Sequence, residues 1–189
     1  MSQPKAASNE NAKPEPWLRG TLSDVDPLQR QVLHALQLTA EDVDRWCASM
    51  TVAQLSLRPA GVASVAFHLR HIVRSLDRLL TYADGGSLSD EQLAALSKEA
   101  DAVTSSKELL NEFHHGLQAA TSRIRNFAPA AFSEPRTVGR VHLPTTLAGL
   151  LIHCAEHTQR HTGQAIVTAR IATSTLCDGA SVSSLSRAG

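Results

Sequence analysis

The chain has 189 residues, enough for one domain with a substantial core and short for two. Lys and Arg number 18 against 18 Asp and Glu, so the net charge is zero with histidines neutral, which removes the bulk electrostatic case for nucleic acid or an anionic membrane. Aromatics are only 4% of residues while leucine and alanine abound, a balance that favours helices over strands, and the three cysteines form no disulfide framework, so a reducing cytoplasm is the expected compartment.

Residues 1–20 are polar, with too few large apolar side chains to offset ordering entropy, and read as a disordered tail. Met1 to Pro16 lacks the apolar run of a signal peptide, and no later run reaches membrane-spanning length. The first helix is expected from about Asp26 to Met50, with Asp26-Pro27 as N-cap and first turn and with Leu28, Val32, Leu36, Val43 and Trp46 at helical spacing. Arg58-Pro59-Ala60-Gly61 breaks the chain before a second helix, about Val62 to Ala83, which Asp84-Gly85-Gly86 stops. Ser89-Asp90-Glu91-Gln92 reads as the capped start of a short helix through about Ala100. A third long helix spans about Ser105 to Phe127 on Leu109, Leu110, Phe113, Leu117 and Ile124. The loop Ala128–Pro144 follows, and its part from Arg136 to Thr146, carrying Arg140 and His142, is a candidate lid. The fourth helix is expected from about Thr145 to Ala172, and Ser174 to Gly189 as a loose tail. Four amphipathic helices in a 21–173 domain, flanked by tails at 1–20 and 174–189, specify an all-α, up-down four-helix bundle with one short extra helix.

Nine histidines are the compositional oddity; three lie in His153-Cys154-Ala155-Glu156-His157-Thr158-Gln159-Arg160-His161, and the segment Phe67-His68-Leu69-Arg70-His71 adds two more. Side chains four apart on a helix share a face, so His157 and His161 can take adjacent positions on one ion. On a helical wheel Leu147, Cys154, Thr158, Ala165 and Ala172 centre the apolar face, with His157 and His161 close to it and His153 at its edge. Glu156, Gln159 and Arg160 fall on the far side. A single inward histidine reads as a hydrogen-bonded core residue; an inward pair reads equally as ligands. On the second helix periodicity favours His68 over His71, which is flanked by Arg74 and Arg78, although a catalytic ion needs an open position and so tolerates a ligand off the core stripe. Cys154 reads as an inert core thiol, and His34, His114 and His115 as satisfied or surface histidines. Gly163, inside a helix at a cost of about 1 kcal/mol relative to alanine, suggests close approach by a neighbouring backbone. Arg70, Arg74 and Arg78 form a strip that is either a solvated face or, at Arg74 and Arg78, a contact for an anionic substrate group.

His71-Ile72-Val73-Arg74-Ser75 and His157-Thr158-Gln159-Arg160-His161-Thr162-Gly163-Gln164 resemble the two histidine motifs of the DinB-like (YfiT-like) superfamily of four-helix metal-dependent proteins. The resemblance covers roughly residues 24–173. It implies His71, His157 and His161 as metal ligands, against the periodicity, and leaves His68, His153 and Gln164 as supporting residues or alternative ligands. Three neutral imidazoles suit a divalent ion such as zinc, nickel, iron or cobalt, with a position left for water or substrate. The function this implies is a metal-dependent hydrolase or a thiol S-transferase acting on a small molecule, in a cytoplasmic homodimer. The alternative is a non-catalytic metal-binding or structural bundle. A DNA-damage interaction module rests on the family name alone, and no nucleic acid or membrane partner is expected.

Overall fold

The structure is a computed structural model describing residues 13–185, with side chains described through Thr175. Six α-helices and one small hairpin make it up: α1 (Pro27–Cys47), α2 (Val52–Ser56), α3 (Val65–Ala83), α4 (Asp90–Ser97), α5 (Ser106–Asn126), β1 (Pro135–Val138), β2 (Leu143–Thr146) and α6 (Leu147–Leu185). The long helices α1, α3, α5 and α6 form the all-α four-helix bundle, with α6 packed between α1 and α3, and α5 closing the ring between α3 and α1.

Local chemistry sets the helix starts. Asp26 accepts from the Leu28 amide at 2.9 Å with Pro27 in the first turn, and Ser64 caps α3, which begins at Val65 and not at about Val62, by accepting from Phe67 at 3.2 Å. Ser89 and Gln92 close a reciprocal capping box on α4. Each long helix buries the stripe its sequence carries: Val32, Leu36 and Val43 on α1, Leu69, Ile72, Leu76 and Leu80 on α3, Phe113, Leu117 and Ile124 on α5, and Leu147, Leu151 and Cys154 on α6.

The helices run up, down, down, up in chain order instead of alternating strictly. Arg74 meets Glu112 while Asp77 meets Arg123, so α3 and α5 are parallel; His68 meets His161 while His71 meets His157, so α3 and α6 are antiparallel. The segment from Asp84 to Ser105, containing α4, must therefore travel back along α3 before α5 begins. That return path passes beside the middle of α3, where Arg70 donates to the Asp101 carbonyl and Arg74 to that of Ala95.

Four local readings differ from the structure. The α2 turn between α1 and α3 was not expected. The loop after α5 contains the antiparallel β1–β2 pair, in register Pro135↔Thr146 and Val138↔Leu143, turned at Gly139 with φ +73°. This hairpin docks at the far end of α3, where Arg136 donates to the Ala83 carbonyl at 2.7 Å, so it does not cover the histidines. Gln159 points to α1, donating to the Ala35 carbonyl and to Thr39, because a long amide reaches around the helix edge that the wheel placed outside. At the ends, α6 runs to Leu185 beyond the expected Ala172, and Arg19 forks onto Glu41 of α1, which draws that carboxyl down to about 2. Residues 1–12 of the expected tail lie outside the described residues.

Candidate metal centre

His71 of α3 and His157 and His161 of α6 each present a ring nitrogen to one point, and these atoms lie within 4.8 Å of one another. The crossing of two antiparallel helices places them there. His71 stands off the fully buried stripe of α3, half-buried, and the i, i+4 pair on α6 faces it across the helix contact. His71 Nε2 and His157 Nε2 are 3.3 Å apart.

Each of the three rings is also held from behind. Glu99, buried just past the end of α4, sets Oε2 2.7 Å from His71 Nδ1. Its other oxygen accepts from Arg78 Nη1 at 2.8 Å. A carboxylate can only accept, so His71 Nδ1 carries the proton. Ser75 stands 3.4 Å from His157 Nδ1 and donates its own hydroxyl hydrogen to the main-chain carbonyl of His71. Its oxygen is then the acceptor for an Nδ1–H on His157. His161 Nδ1 meets His68 Nδ1 at 3.1 Å.

The tautomers follow. With Nδ1 protonated in the neutral rings, His71 and His157 aim two bare Nε2 lone pairs at each other across 3.3 Å. That contact is repulsive between the rings alone and favourable with a cation between them. Two nitrogens at zinc–nitrogen distances of about 2.0–2.1 Å in a tetrahedral array are separated by roughly 3.3–3.4 Å, so the spacing fits. On α6 burial disfavours the charged form: it pushes His157 down to about 4, reinforced by His161 and His71, and lowers His161 as well. Neutral imidazole is the form that binds metal.

The remaining candidates fall into place around this core. His68 is 5% exposed, as periodicity placed it, and is pushed down to about 4 by burial; it contacts His161 and is not one of the three converging residues. His153 lies beside His157 with ring centroids 5.6 Å apart and turns Nδ1 toward Glu156 at 3.5 Å. Gln164 is exposed, one turn past His161. Arg74 and Arg78 are committed to Glu112 and Glu99, so the arginine strip clamps the returning segment onto α3 instead of forming a solvated face. Arg78 thus pairs with Glu99 and not with its neighbour Asp77, which Arg123 holds. His34 bonds Thr21, His114 pairs with Asp44, and His115 is exposed. Cys154 and Cys47 are buried free thiols raised to about 12 by desolvation, hence inert. No backbone approaches Gly163: a Cβ built there would meet nothing within 4 Å.

Glu99 and Ser75 were not singled out in the sequence as site residues. Ser75 sits inside the first histidine motif, four residues after His71, which was the available signal. Glu99 is 28 residues from its partner, and no spacing rule connects them.

The fold and this pair of histidine motifs agree with a wider comparison. A family model of the DinB superfamily matches residues 35–165. The chain belongs to the DinB superfamily. No curated protein matches it. The matched region contains all three converging histidines together with Ser75, Glu99 and Arg78. Among the described residues no helix of this DinB-superfamily protein is long and apolar enough to cross a membrane.

Proposed function

We propose that this protein binds one divalent metal ion through Nε2 of His71, His157 and His161 and uses it in a metal-dependent reaction on a small molecule, either hydrolysis or transfer to a thiol. One observation carries the reading. Two lone-pair nitrogens face each other at 3.3 Å, each fixed in that tautomer by a partner on its other nitrogen. Metal-binding histidines are usually oriented by such a contact to a carboxylate, hydroxyl or carbonyl.

Three protein ligands leave coordination positions for water or substrate. The ion would supply Lewis acidity, lowering the pKa of a bound water or thiol. The protein's share is to hold the three rings aligned. Glu99 keeps the His71 proton on Nδ1 and makes its Nε2 a stronger donor, and Arg78 holds Glu99 in place through its other oxygen. Ser75 does the same for His157 without charge. Glu156 lies exposed and paired with Arg160, so it is not assigned as a proton acceptor.

The competing reading is a non-catalytic bundle in which the ion acts as a staple. A structural zinc site is ordinarily closed by four protein ligands, whereas this group has three among the described residues, which favours the reactive reading. A cytoplasmic homodimer remains part of the proposal, and the buried, unpaired Cys47 and Cys154 suit a reducing compartment.

Metal analysis of the gently purified protein tests the centre. About one equivalent of metal, lost in His157→Ala, is expected; a full equivalent retained by that variant sinks the ligand assignment. A screen of the loaded protein with low-molecular-weight thiols plus electrophiles, and with simple esters, then separates enzyme from staple.

A further inference from the structure

Gly163 sits inside α6, where glycine weakens a helix relative to alanine, yet no neighbour needs the room it leaves. The space opens into a cleft of about 610 Å³ whose wall includes Val62, Ala63, His68, Gly163, Gln164 and Val167. Val62 and Val167 are 51% and 59% exposed, unusually open for branched apolar side chains lining a concave surface. Among the described residues no carboxylate lines this cleft, while Arg160 does, and the one carboxylate contact Arg160 makes among them is the exposed i, i+4 pair with Glu156. Such a pair is weak enough for the guanidinium to turn toward a ligand.

His68 joins the cleft to the metal centre. Its Nδ1 faces His161 Nδ1 at 3.1 Å, its Nε2 has no hydrogen-bond partner among the described residues, and the residue lines the cleft. When His161 uses Nε2 as a ligand, its Nδ1 must carry the proton and donate it toward His68. His68 Nδ1 is then the acceptor, and the neutral ring carries its own proton on Nε2. The cleft thereby presents an N–H donor whose position is set by the state of His161.

We propose that this cleft binds a small organic carboxylate, its apolar body laid against Gly163 between Val62 and Val167 and its carboxylate accepting from His68 Nε2–H, and that His68 couples this site to the metal centre. The coupling half rests on the three-histidine reading; the cleft itself does not. Linkage requires the effect to be reciprocal, so a carboxylate in the cleft also tightens metal binding.

Calorimetric titration of the full chain with acetate, hexanoate and 3-phenylpropionate, with and without zinc, tests both halves. The two longer acids are expected to bind at millimolar concentration and acetate not, with affinity about fivefold or more higher in the zinc-loaded protein. Gly163→Leu, which fills open space, is expected to abolish this binding while leaving zinc affinity and Tm at or above wild type. His68→Phe is expected to remove the zinc dependence. Binding of the acids that survives Gly163→Leu marks direct coordination to the ion and overturns the cleft. Failure of all three acids overturns it too, as does a dimer-to-monomer change in Gly163→Leu by light scattering, which would assign the groove to a second copy. Failure of zinc uptake with acid binding still lost in Gly163→Leu strikes the metal reading and the coupling while sustaining the cleft.

Discussion

Glu99 Oε2 lies 2.7 Å from His71 Nδ1, and the same carboxylate, 3% exposed, receives Arg78 on its other oxygen. A buried carboxylate between a histidine and an arginine costs desolvation, which is offset only when every lone pair is used. Here it orients His71, one of the three histidines proposed to hold the ion. Glu99→Gln is expected to keep the fold and weaken metal affinity by about 10–100-fold, because the amide still accepts from Nδ1–H but lacks the charge that strengthens Nε2 as a donor. Competition against a chromophoric chelator measures this. Glu99→Ala goes further, leaving Arg78 unpaired in a mostly buried setting, with a loss of up to about 3 kcal/mol in urea unfolding. Unchanged metal affinity in Glu99→Gln would remove the carboxylate from the centre.

Acid should destabilise the metal-free protein as its buried histidines take up protons. His68 and His157 are both pushed from the ordinary 6.5 to about 4, chiefly by burial. The folded values lie below the unfolded ones, so between about 4 and 6.5 the unfolded chain binds more protons. Their contribution to stability is therefore complete above pH 6.5 and is lost as pH falls toward 4. Melting temperatures in chelator across that window should fall steadily, and a flat profile would contradict the burial of these rings. In the loaded protein, protons compete with the ion, so metal release should accompany the same descent.

The bundle was legible in the sequence because its helices carry long apolar stripes, and the wheel on α6 faced His157 and His161 inward, where they lie. Helix 3 was harder. Periodicity ranks residues by burial, and His68 is indeed the more buried, yet the converging residue is His71, which stands off the stripe where an ion can be reached. Only the motif resemblance pointed to it. Glu99 was hidden because a contact across 28 residues depends on the return path of the α4 segment, which no local pattern encodes. The α2 turn was a different omission. Thr51-Val52-Ala53-Gln54 is a capping-box pattern, and the structure closes that box. The hairpin strands are four residues each with prolines at 135 and 144, too short and too broken for alternation to register.

Two helical glycines should respond to alanine with opposite signs. At Gly116 of α5, a Cβ would lie 2.4 Å from the Val73 Cβ, an atom next to the α3 backbone that cannot swing away. Gly116→Ala is expected to cost about 1–3 kcal/mol through overpacking, in spite of the better helix propensity. At Gly163 nothing lies within 4 Å, so Gly163→Ala should gain up to about 1 kcal/mol. Urea unfolding of the two variants decides it, and a destabilised Gly163→Ala would mean that the backbone there is constrained by something other than space.

The four central histidines should separate cleanly into ligands and support. His71→Ala, His157→Ala and His161→Ala each remove one of the nitrogens that lie within 4.8 Å of one another, so each should lose stoichiometric metal and the rise in Tm that metal confers. His68→Phe keeps all three nitrogens and removes only the contact behind His161, 3.1 Å away. It should still bind one equivalent, with affinity reduced about 10-fold or more because His161 is no longer oriented. Differential scanning with added zinc and then chelator reads both quantities on the same samples. A His68 variant that loses metal completely, beside a His71 variant that keeps it, would reverse the assignment and return the ligand on α3 to the residue that periodicity preferred.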